Sequence, residues 1–275
     1  RESMSFVFER KLPSAEHLKE LLPVDAATAQ IRERRVALLK KVIAGEYNRL
    51  LLIIGPCSAD NEAAVLDYIH RLAKVQEKVE DKIFIVPRVY TNKPRTTGEG
   101  YKGMMHQPDP TQKPNAFEGI KAIRHMHIRV MQETGLVAAD EMLYPDNYAF
   151  LDDVLGYVAI GARSVENQQH FEDLHWIAGR YQALGVQNPA IIVDTNHNNS
   201  AKQYEQQPRI ASEVLHSMNY DPLLRQMIKG FMIESYIEPG AQKIDDHQIY
   251  GKSITDPCLG WRETEAMIYE MAEKF

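Results

Sequence analysis

The sequence has few cysteines, no long hydrophobic run and no excess of positive charge, and each absence excludes a class of protein. Only two cysteines occur in 275 residues, which is too few for a disulfide framework and fits a reducing compartment. The longest apolar run, Leu50–Ile54, is far shorter than the roughly 20 residues that a membrane-spanning helix needs. The net charge of −6 argues against nucleic acid or an anionic membrane as the main partner. We therefore expect a cytoplasmic protein that binds neither nucleic acid nor membrane.

The signatures of several common enzyme classes are also missing. There is no Walker loop, no GxGxxG and no GxSxG, so nucleotide-binding folds and serine hydrolases have no support. The first residues carry charges with no apolar stretch after them, and we expect no signal peptide. No internal repeat or long flexible linker appears, which favours a single catalytic domain.

From residue 49 onward, short apolar runs alternate with amphipathic helical patterns, which predicts a parallel sheet covered on both faces. The predicted strands are Leu50–Gly55, Ile83–Tyr90, Leu136–Asp140, Tyr157–Gly161, Ala190–Asp194 and Gly230–Glu234. The predicted helices among them are about Glu62–Val79, Asn115–Thr134, Asp146–Leu155, Glu172–Leu184, Ala201–Met218 and Arg262–Lys274. Residues 1–48 contain two helical patterns and precede the first strand, so we predict an N-terminal extension followed by a catalytic domain over residues 49–275.

Four residues of metal-ligand type stand at or just beyond strand ends or in loops. They are Cys57 in LLIIGPCS, His197 in DTNHNNS, Glu234 in GFMIES and Asp256 in KSITDPC. A thiolate, an imidazole and two carboxylates suit Mn, Fe, Co or Zn with one coordination position left open. Parallel sheets place their chemistry at the carboxyl ends of the strands, where most of these residues fall. Each alone has an ordinary alternative: a buried free thiol, a polar surface histidine or a salt-bridged carboxylate.

A group of cations accompanies the candidate ligands. Arg88 lies inside a strand-like run, Lys93 and Arg95 follow in KPRT, Lys102 comes soon after, and Arg163 stands at another strand end. A solvated basic loop is the usual meaning of such a cluster. Several cations converging at one end of a sheet need phosphate or carboxylate partners. The combination indicates a metal-dependent enzyme that acts on phosphorylated small molecules.

Seven segments, in colinear order, resemble the microbial type I 3-deoxy-D-arabino-heptulosonate-7-phosphate (DAHP) synthases. They are GPCSA, PRVYTNKPRTT with GYKG, ADEM, IGARSVENQQH, DTNHNNSAKQY, MIES and YGKSITD. The resemblance implies an α/β fold, a (β/α)8 TIM barrel with an N-terminal helical extension. It also implies a metal-dependent, aldol-type condensation of phosphoenolpyruvate with D-erythrose 4-phosphate, the first step of the shikimate pathway. A related synthase for another aldose phosphate is disfavoured, because KPRT matches the erythrose 4-phosphate loop.

The resemblance assigns roles to individual residues. It makes the metal ligands Cys57, His197, Glu234 and Asp256. Substrate binding is implied for Arg88, Lys93, Pro94, Arg95, Thr96, Lys102, Glu141, Ala162, Arg163 and Asp256. The catalytic residues implied are Lys93, Arg88, Cys57 and His197. Beyond the site, the resemblance implies a homodimer or homotetramer whose N-terminal arm makes oligomer contacts, with an aromatic amino acid as a feedback effector.

The sequence departs from the family between His170 and Phe171. In the family, two strand–helix units separate the GARS strand from the DTNH strand, and they carry a lysine and an arginine that contact phosphoenolpyruvate. Here these units, roughly 60 residues at about 30 per unit, are absent. A barrel without two consecutive strands exposes two long edges. One hypothesis is that the natural protein has a further segment at this junction and is an active synthase. The alternative is a shortened, non-catalytic relative that acts as an interaction or regulatory subunit.

Overall fold

A computed structural model describes residues 13–92, 101, 103–142, 145–160, 171–245 and 247–275. Several of the predicted site residues lie outside this part of the chain. They are Lys93, Pro94, Arg95, Thr96, Lys102, Ala162 and Arg163. His170, on one side of the predicted junction, lies outside it as well.

Two helices precede the first strand, as predicted: α1 (Ala15–Leu21) and α2 (Ala26–Ala44). Asp25 begins α2 by accepting a hydrogen bond from the amide of Thr28 at 2.7 Å. Gly45 ends α2 in the left-handed region, with φ of 77°, where a glycine has no steric penalty. Local capping chemistry therefore sets both ends of this helix.

Strands and helices then alternate through the described residues. The elements are β1 (Leu50–Gly55), α3 (Glu62–Val79), β2 (Ile83–Pro87), α4 (Ala116–Thr134), β3 (Ala139–Met142), β4 (Tyr157–Ile160), α5 (Phe171–Leu184), β5 (Ile191–Asp194), α6 (Gln207–Tyr220), α7 (Pro222–Met227), β6 (Ile228–Glu234) and α8 (Trp261–Lys274). Short 3-10 helices occupy Pro145–Phe150, Asn198–Ser200 and Tyr204–Gln206. All six predicted strands are found, and β1 and α3 have the predicted bounds. No helix in the described residues is both long enough and apolar enough to cross a membrane.

One predicted helix, Asp146–Leu155, is wrong. The structure has the 3-10 helix Pro145–Phe150 followed by a turn. Arg124 of α4 donates from Nη1 to the carbonyl oxygen of Phe150 at 3.1 Å, and Arg32 of α2 donates to that of Leu155 at 2.9 Å. These bonds tie the backbone of the segment to α4 and α2.

A second predicted helix, Ala201–Met218, begins later than expected. The α-helix starts at Gln207, after the 3-10 turns. Ala201 and Lys202 both have positive φ, of 51° and 60°, which is incompatible with a right-handed helix. The apolar periodicity does not reveal this local reversal of the backbone.

All strand pairs in the described residues are parallel. β1 lies between β2 and β6, β5 pairs with β6, and β3 pairs with β4. A single parallel bridge between Arg88 and Ala139 connects the end of β2 to β3. The spatial order is therefore β4-β3-β2-β1-β6-β5. The first and last strands of the chain are neighbours, and the edge strands β4 and β5 stand on either side of the His170–Phe171 junction in sequence.

Alternate residues of the strands enter two separate hydrophobic clusters. In β1, Leu50, Leu52 and Ile54 pack with the surrounding helices, whereas Leu51 and Ile53 belong to a second cluster. The second cluster takes residues from the other strands and from α2: Phe84, Val86, Tyr90, Ala139, Leu39 and Val42. Both faces of the sheet are thus covered, one by helices and the other partly by the N-terminal helix α2, as continuous apolar strands require.

Candidate metal centre and substrate site

Three of the four predicted metal ligands lie together at the carboxyl ends of β1 and β6. Potential ligand atoms of Cys57, Glu234 and Asp256 are all within 4.8 Å of one another. Cys57 and Glu234 are buried, and Asp256, in the loop before α8, is partly exposed. A sulfur and two carboxylate groups at this spacing form a candidate site for a divalent transition ion.

The strand register explains why Cys57 and Glu234 meet. Gly55 of β1 is directly opposite Glu234 of β6, and Cys57 follows two residues later. A Cβ atom at Gly55 would lie 2.1 Å from the carbonyl oxygen of Arg88. Only glycine therefore allows the end of β2 to approach β1 this closely, which brings Arg88 to the same site.

The Glu234 carboxylate is held on both of its oxygens. Arg88 donates from Nη2 to Oε1 at 2.9 Å, and Asn196 donates from Nδ2 to Oε2. The backbone of Glu234 is fixed by the side chain of Gln207, which accepts from its amide at 2.9 Å and donates to its carbonyl oxygen at 2.8 Å. A buried carboxylate is tolerated here because a cation and an amide satisfy it.

Arg88 is a buried cation with hydrogen-bonding capacity left over. Its side chain is only 3% exposed, and its guanidinium carbon lies 4.0 Å from the centre of the Tyr90 ring. Burial opposes the charge, but the negative field of Glu234 and neighbouring groups raises the pKa of Arg88 above its usual value. Within the described residues, Nε and Nη1 have no hydrogen-bond partner. Buried donors of this kind are suited to an anionic ligand.

His197, the fourth predicted ligand, is not part of the three-residue group. Its Nδ1 lies 3.0 Å from Oδ2 of Asp194, and its side chain is 38% exposed. The neighbouring Asp194 carboxylate is the main reason that the pKa of His197 is raised, and burial opposes this. Burial opposes ionisation of Asp194, but His197 and Arg88 hold the pKa of that carboxyl below its usual range. His197 as a metal ligand stays a prediction.

Glu141, predicted to bind substrate, lies in β3 and is buried. Its carbonyl oxygen accepts a hydrogen bond from Nδ2 of Asn92 at 3.1 Å. The bridge between Arg88 and Ala139 places Arg88 and Glu141 on neighbouring strand ends. The predicted residues that the structure describes therefore come from β1, the end of β2, β3 and β6, together with the loops after β5 and β6.

Residues that orient this site escaped the sequence analysis. Asn196 and Gln207 hold Glu234, and Asp194 holds His197. Asn196 and Asp194 both stand in the DTNHNNS motif, so proximity to His197 was an available indication. Gln207 opens a helix ten residues further on, and nothing in the local sequence shows that this glutamine is buried.

Proteins of known identity align with nearly the whole chain. The Trp-sensitive phospho-2-dehydro-3-deoxyheptonate aldolase of Enterobacter agglomerans is 29% identical, with 94% of this chain and 92% of the relative covered. The Phe-sensitive enzyme of Escherichia coli K12 is 28% identical, with coverage of 95% and 93%. The fold matches the structure of phospho-2-dehydro-3-deoxyheptonate aldolase from Francisella tularensis SCHU S4. That match has a TM-score of 0.89, 22% identity and 98% coverage of both chains.

The alignments bear on the junction between His170 and Phe171. The alignment with the Enterobacter protein spans 331 positions, more than the 275 residues of this chain, so the relative has residues without a counterpart here. A family profile, described as the DAHP synthetase I family, matches in two parts, residues 23–183 and 176–268. The two parts overlap over residues 176–183, a few residues after the junction where the strand–helix units are expected. Because the two matches together span most of the sequence, the chain belongs to the DAHP synthetase I family.

Proposed function

We propose that this protein condenses phosphoenolpyruvate with D-erythrose 4-phosphate to give DAHP and inorganic phosphate, as the first step of the shikimate pathway. The observation that carries the proposal is the grouping of Cys57, Glu234 and Asp256 within 4.8 Å, with the buried cation Arg88 bound to Glu234. The site joins metal-ligand chemistry to anion-binding chemistry, which a reaction between two phosphorylated substrates needs. Membership of the DAHP synthetase I family supports the same reaction.

The donor set fits a divalent transition ion. Cys57, Glu234 and Asp256 supply one sulfur and carboxylate oxygens, and we propose His197 as the fourth ligand through Nε2, since its Nδ1 faces Asp194. When bound, such an ion supplies Lewis acidity toward the aldehyde oxygen of erythrose 4-phosphate. Mn, Fe, Co and Zn all suit this set, and the choice among them depends on supply as well as on geometry.

The chain's own residues bind and orient the substrates. Among the residues that the structure describes, Nε and Nη1 of Arg88 have no partner and are available for the phosphate or carboxylate of phosphoenolpyruvate. Glu141 lies at the neighbouring strand end. Lys93 is proposed to bind both substrates. The enol carbon of phosphoenolpyruvate forms the new C–C bond with the aldehyde carbon, water adds to C2, and phosphate leaves by C–O cleavage. Fixing the two carbons in contact is where most of the rate gain arises.

We further propose that the six parallel strands are part of an eight-stranded barrel. The support is the pairing of β6 with β1, which joins the two ends of the strand series, and the gap between β4 and β5. A barrel closed by two further strands has no exposed edge. The family's additional residues are expected in this gap.

Regulation by an aromatic amino acid is proposed on the basis of the relatives, whose names describe them as Trp-sensitive, Tyr-sensitive or Phe-sensitive. A homodimer or homotetramer and a cytoplasmic location complete the proposal. Both cysteines are buried and neither forms a disulfide, which agrees with a reducing compartment.

The test measures product formation by the purified protein supplied with Mn²⁺. We expect DAHP and inorganic phosphate in equal amounts, and loss of both when a chelator is added. Cys57→Ala should lower Mn²⁺ affinity and reduce turnover by about 100-fold or more. Cys258→Ser is the matched control, because Cys258 is also buried and is not in the ligand group. Its Sγ accepts from the amide of Cys57 at 3.4 Å, and the serine hydroxyl keeps an acceptor there. Normal turnover in Cys57→Ala would contradict the metal assignment.

A second candidate function is a non-catalytic interaction or regulatory subunit. It is favoured by the residues that the relatives have and this chain lacks. The two substrate-binding cations expected on the absent strands would then be missing from the site. Measurable DAHP formation by the 275-residue chain eliminates this candidate, whereas a metal-loaded protein without turnover supports it.

A further inference from the structure

A buried carboxylate beside the candidate site has no part in the chemistry described above. Asp140 in β3 is 0% exposed, and four hydrogen bonds converge on its two oxygens. Oδ1 accepts from the amides of Thr91, at 2.8 Å, and Glu141, at 2.7 Å. Oδ2 lies 2.5 Å from the Thr91 hydroxyl, which donates to it, and 3.3 Å from Nε2 of His127. A carboxylate that is satisfied by donors from three other residues fixes their relative positions.

Thr91 is the point at which three stretches of chain meet. Besides its bonds to Asp140, its carbonyl oxygen accepts from the amide of Met105 at 3.1 Å. Gly103, with φ of 95°, packs so closely that a Cβ atom would lie 2.1 Å from the same carbonyl oxygen. Asn92 then donates to the carbonyl oxygen of Glu141. The extension of β2, the end of β3 and the segment that leads to α4 are therefore tied together here.

His127 supports the carboxylate from the helix side. It lies in α4 with no exposed surface, and its Nδ1 has no hydrogen-bond partner in the described residues. The ring therefore contributes through Nε2, as a donor toward Asp140. α4 also packs against α3 and α2. The hydrogen bond from His127 therefore fixes Asp140 relative to these helices as well as to the sheet.

We propose that Asp140 is a positioning residue for phosphoenolpyruvate binding. It holds the amide of Glu141 and the Thr91–Asn92 extension, three residues beyond Arg88, in fixed register. Glu141 and Arg88 are the two described residues that the proposed function assigns to phosphoenolpyruvate, and the inference rests on that function. Small displacements of binding groups are costly in such sites, since a shift of about 1 Å can cost about 100-fold in rate.

The test is the variant Asp140→Asn, assayed as the metal-loaded protein. An asparagine offers one acceptor oxygen and turns two donors toward groups that also donate. We expect the KM for phosphoenolpyruvate to rise about tenfold, while kcat stays within about threefold and Mn²⁺ affinity is unchanged. Thr91→Val should act in the same direction with a smaller effect. Thr91→Ser, which keeps the hydroxyl group, should have the same KM for phosphoenolpyruvate as the wild-type protein.

Asp153→Asn is the matched control for a purely structural effect. The Asp153 carboxylate also accepts hydrogen bonds from a buried side chain, that of Arg124, at 2.6 and 2.9 Å. It stands before β4 begins, away from the carboxyl ends of the strands. This variant should unfold more easily than wild type and leave both KM values unchanged. An Asp140→Asn protein that behaves in the same way would overturn the positioning role.

Hydrogen exchange separates this inference from the proposed function. In Asp140→Asn, the amides of Thr91, Glu141 and Met105 should exchange faster than in wild type, whereas in Asp153→Asn they should not. Faster exchange with an unchanged KM overturns the positioning role, and so does unchanged exchange. A wild-type protein that forms no DAHP overturns the proposed function, and the exchange rates then decide whether Asp140 fixes these segments.

Discussion

The strands at the centre of the sheet differ from those at its edges in how completely they are buried. β1 has partners on both sides, β2 and β6, and all six of its residues are buried. Within the described residues β5 pairs only with β6, and its residues alternate between buried and half-buried. In β4, the described side chains Tyr157, Val158 and Ala159 are all half-buried. The central strand β1 and the edge strands β4 and β5 thus differ in burial although all three are apolar.

This difference has a functional counterpart. The metal-ligand group lies at the ends of β1 and β6, which both have strand partners on two sides. Arg88 follows β2, which pairs with β1 and has one bridge to β3, at Arg88 itself. The edge strands β4 and β5 stand on either side of residues 176–183, where the two matches to the family profile overlap. A site of this type needs atoms held within fractions of an ångström, and the paired strands provide that rigidity.

The largest effect should come from adding a methyl group where β1 and β6 meet. A Cβ atom in Gly230→Ala would lie 1.8 Å from the carbonyl oxygen of Leu51, which cannot move without breaking the ladder. We expect a loss of more than about 3 kcal/mol in the free energy of unfolding, measured in urea. Gly179→Ala in α5 is the control, since nothing lies within 4 Å of its Cβ position, and it should stabilise by about 0.5–1 kcal/mol. If both variants unfolded at the same urea concentration, the close contact between β1 and β6 would not be the cause of the loss.

A pair of core truncations compares the centre and the edge directly. Leu52→Ala in β1 removes a side chain with 0% exposure and should cost about 2–5 kcal/mol. Ile192→Ala in β5 removes a half-buried side chain and should cost no more than about 2 kcal/mol, because part of its surface is already in water. The measurement is again the free energy of unfolding. Equal losses would mean that the edge is covered as completely as the centre.

A smaller effect is expected in the pH dependence of the free energy of unfolding, through Asp60 in the loop after β1. Burial raises the pKa of Asp60 from 3.8 to about 6, although its carboxylate accepts a hydrogen bond from Tyr236. The folded state therefore favours the protonated form. The stabilisation of the folded state by protonated Asp60 is complete below about pH 4 and is lost as the pH rises through 6. The loss in the free energy of unfolding is at most about 3 kcal/mol.

Asp60→Asn should remove this pH dependence, because the amide keeps an acceptor oxygen for Tyr236 and carries no charge. Near pH 7 the variant should be more stable than wild type, and at pH 4 the two should be alike. Unfolding measured from pH 4 to 7 with a chelator present checks this without a contribution from bound metal. A variant with the same pH profile as wild type would place the dependence on another group.

Much of the architecture could be predicted from local patterns. The apolar runs located all six strands, and the bounds of β1 and α3 were right because a buried strand and an amphipathic helix have distinct periods. The predictions failed where a distant residue decided the local structure. Arg124 takes the carbonyl oxygen of Phe150, and the backbone reverses at Ala201 and Lys202, neither of which affects hydrophobic periodicity.

Some residues of the candidate site could likewise be predicted from the sequence, and others could not. Cys57, Glu234 and Asp256 could be selected because their residue types and strand-end positions are visible in the sequence. Gln207 and Asp140 could not, since their partners lie 27 and 49 residues away in the chain. His197 was selected with the ligands, yet its ring pairs with Asp194.

The sequence by itself determined the class of fold, the order of the strands along the chain and the chemical types available for a metal and for anionic substrates. These depend on composition and short-range periodicity, which every window of the chain displays. Only the tertiary structure decided that Gly55 is opposite Glu234 and that Arg88 binds the Glu234 carboxylate. The same holds for Asp140, which accepts hydrogen bonds from both Thr91 and Glu141. Strand register and side-chain hydrogen bonds bring together residues far apart in the chain, and no local pattern encodes such pairings.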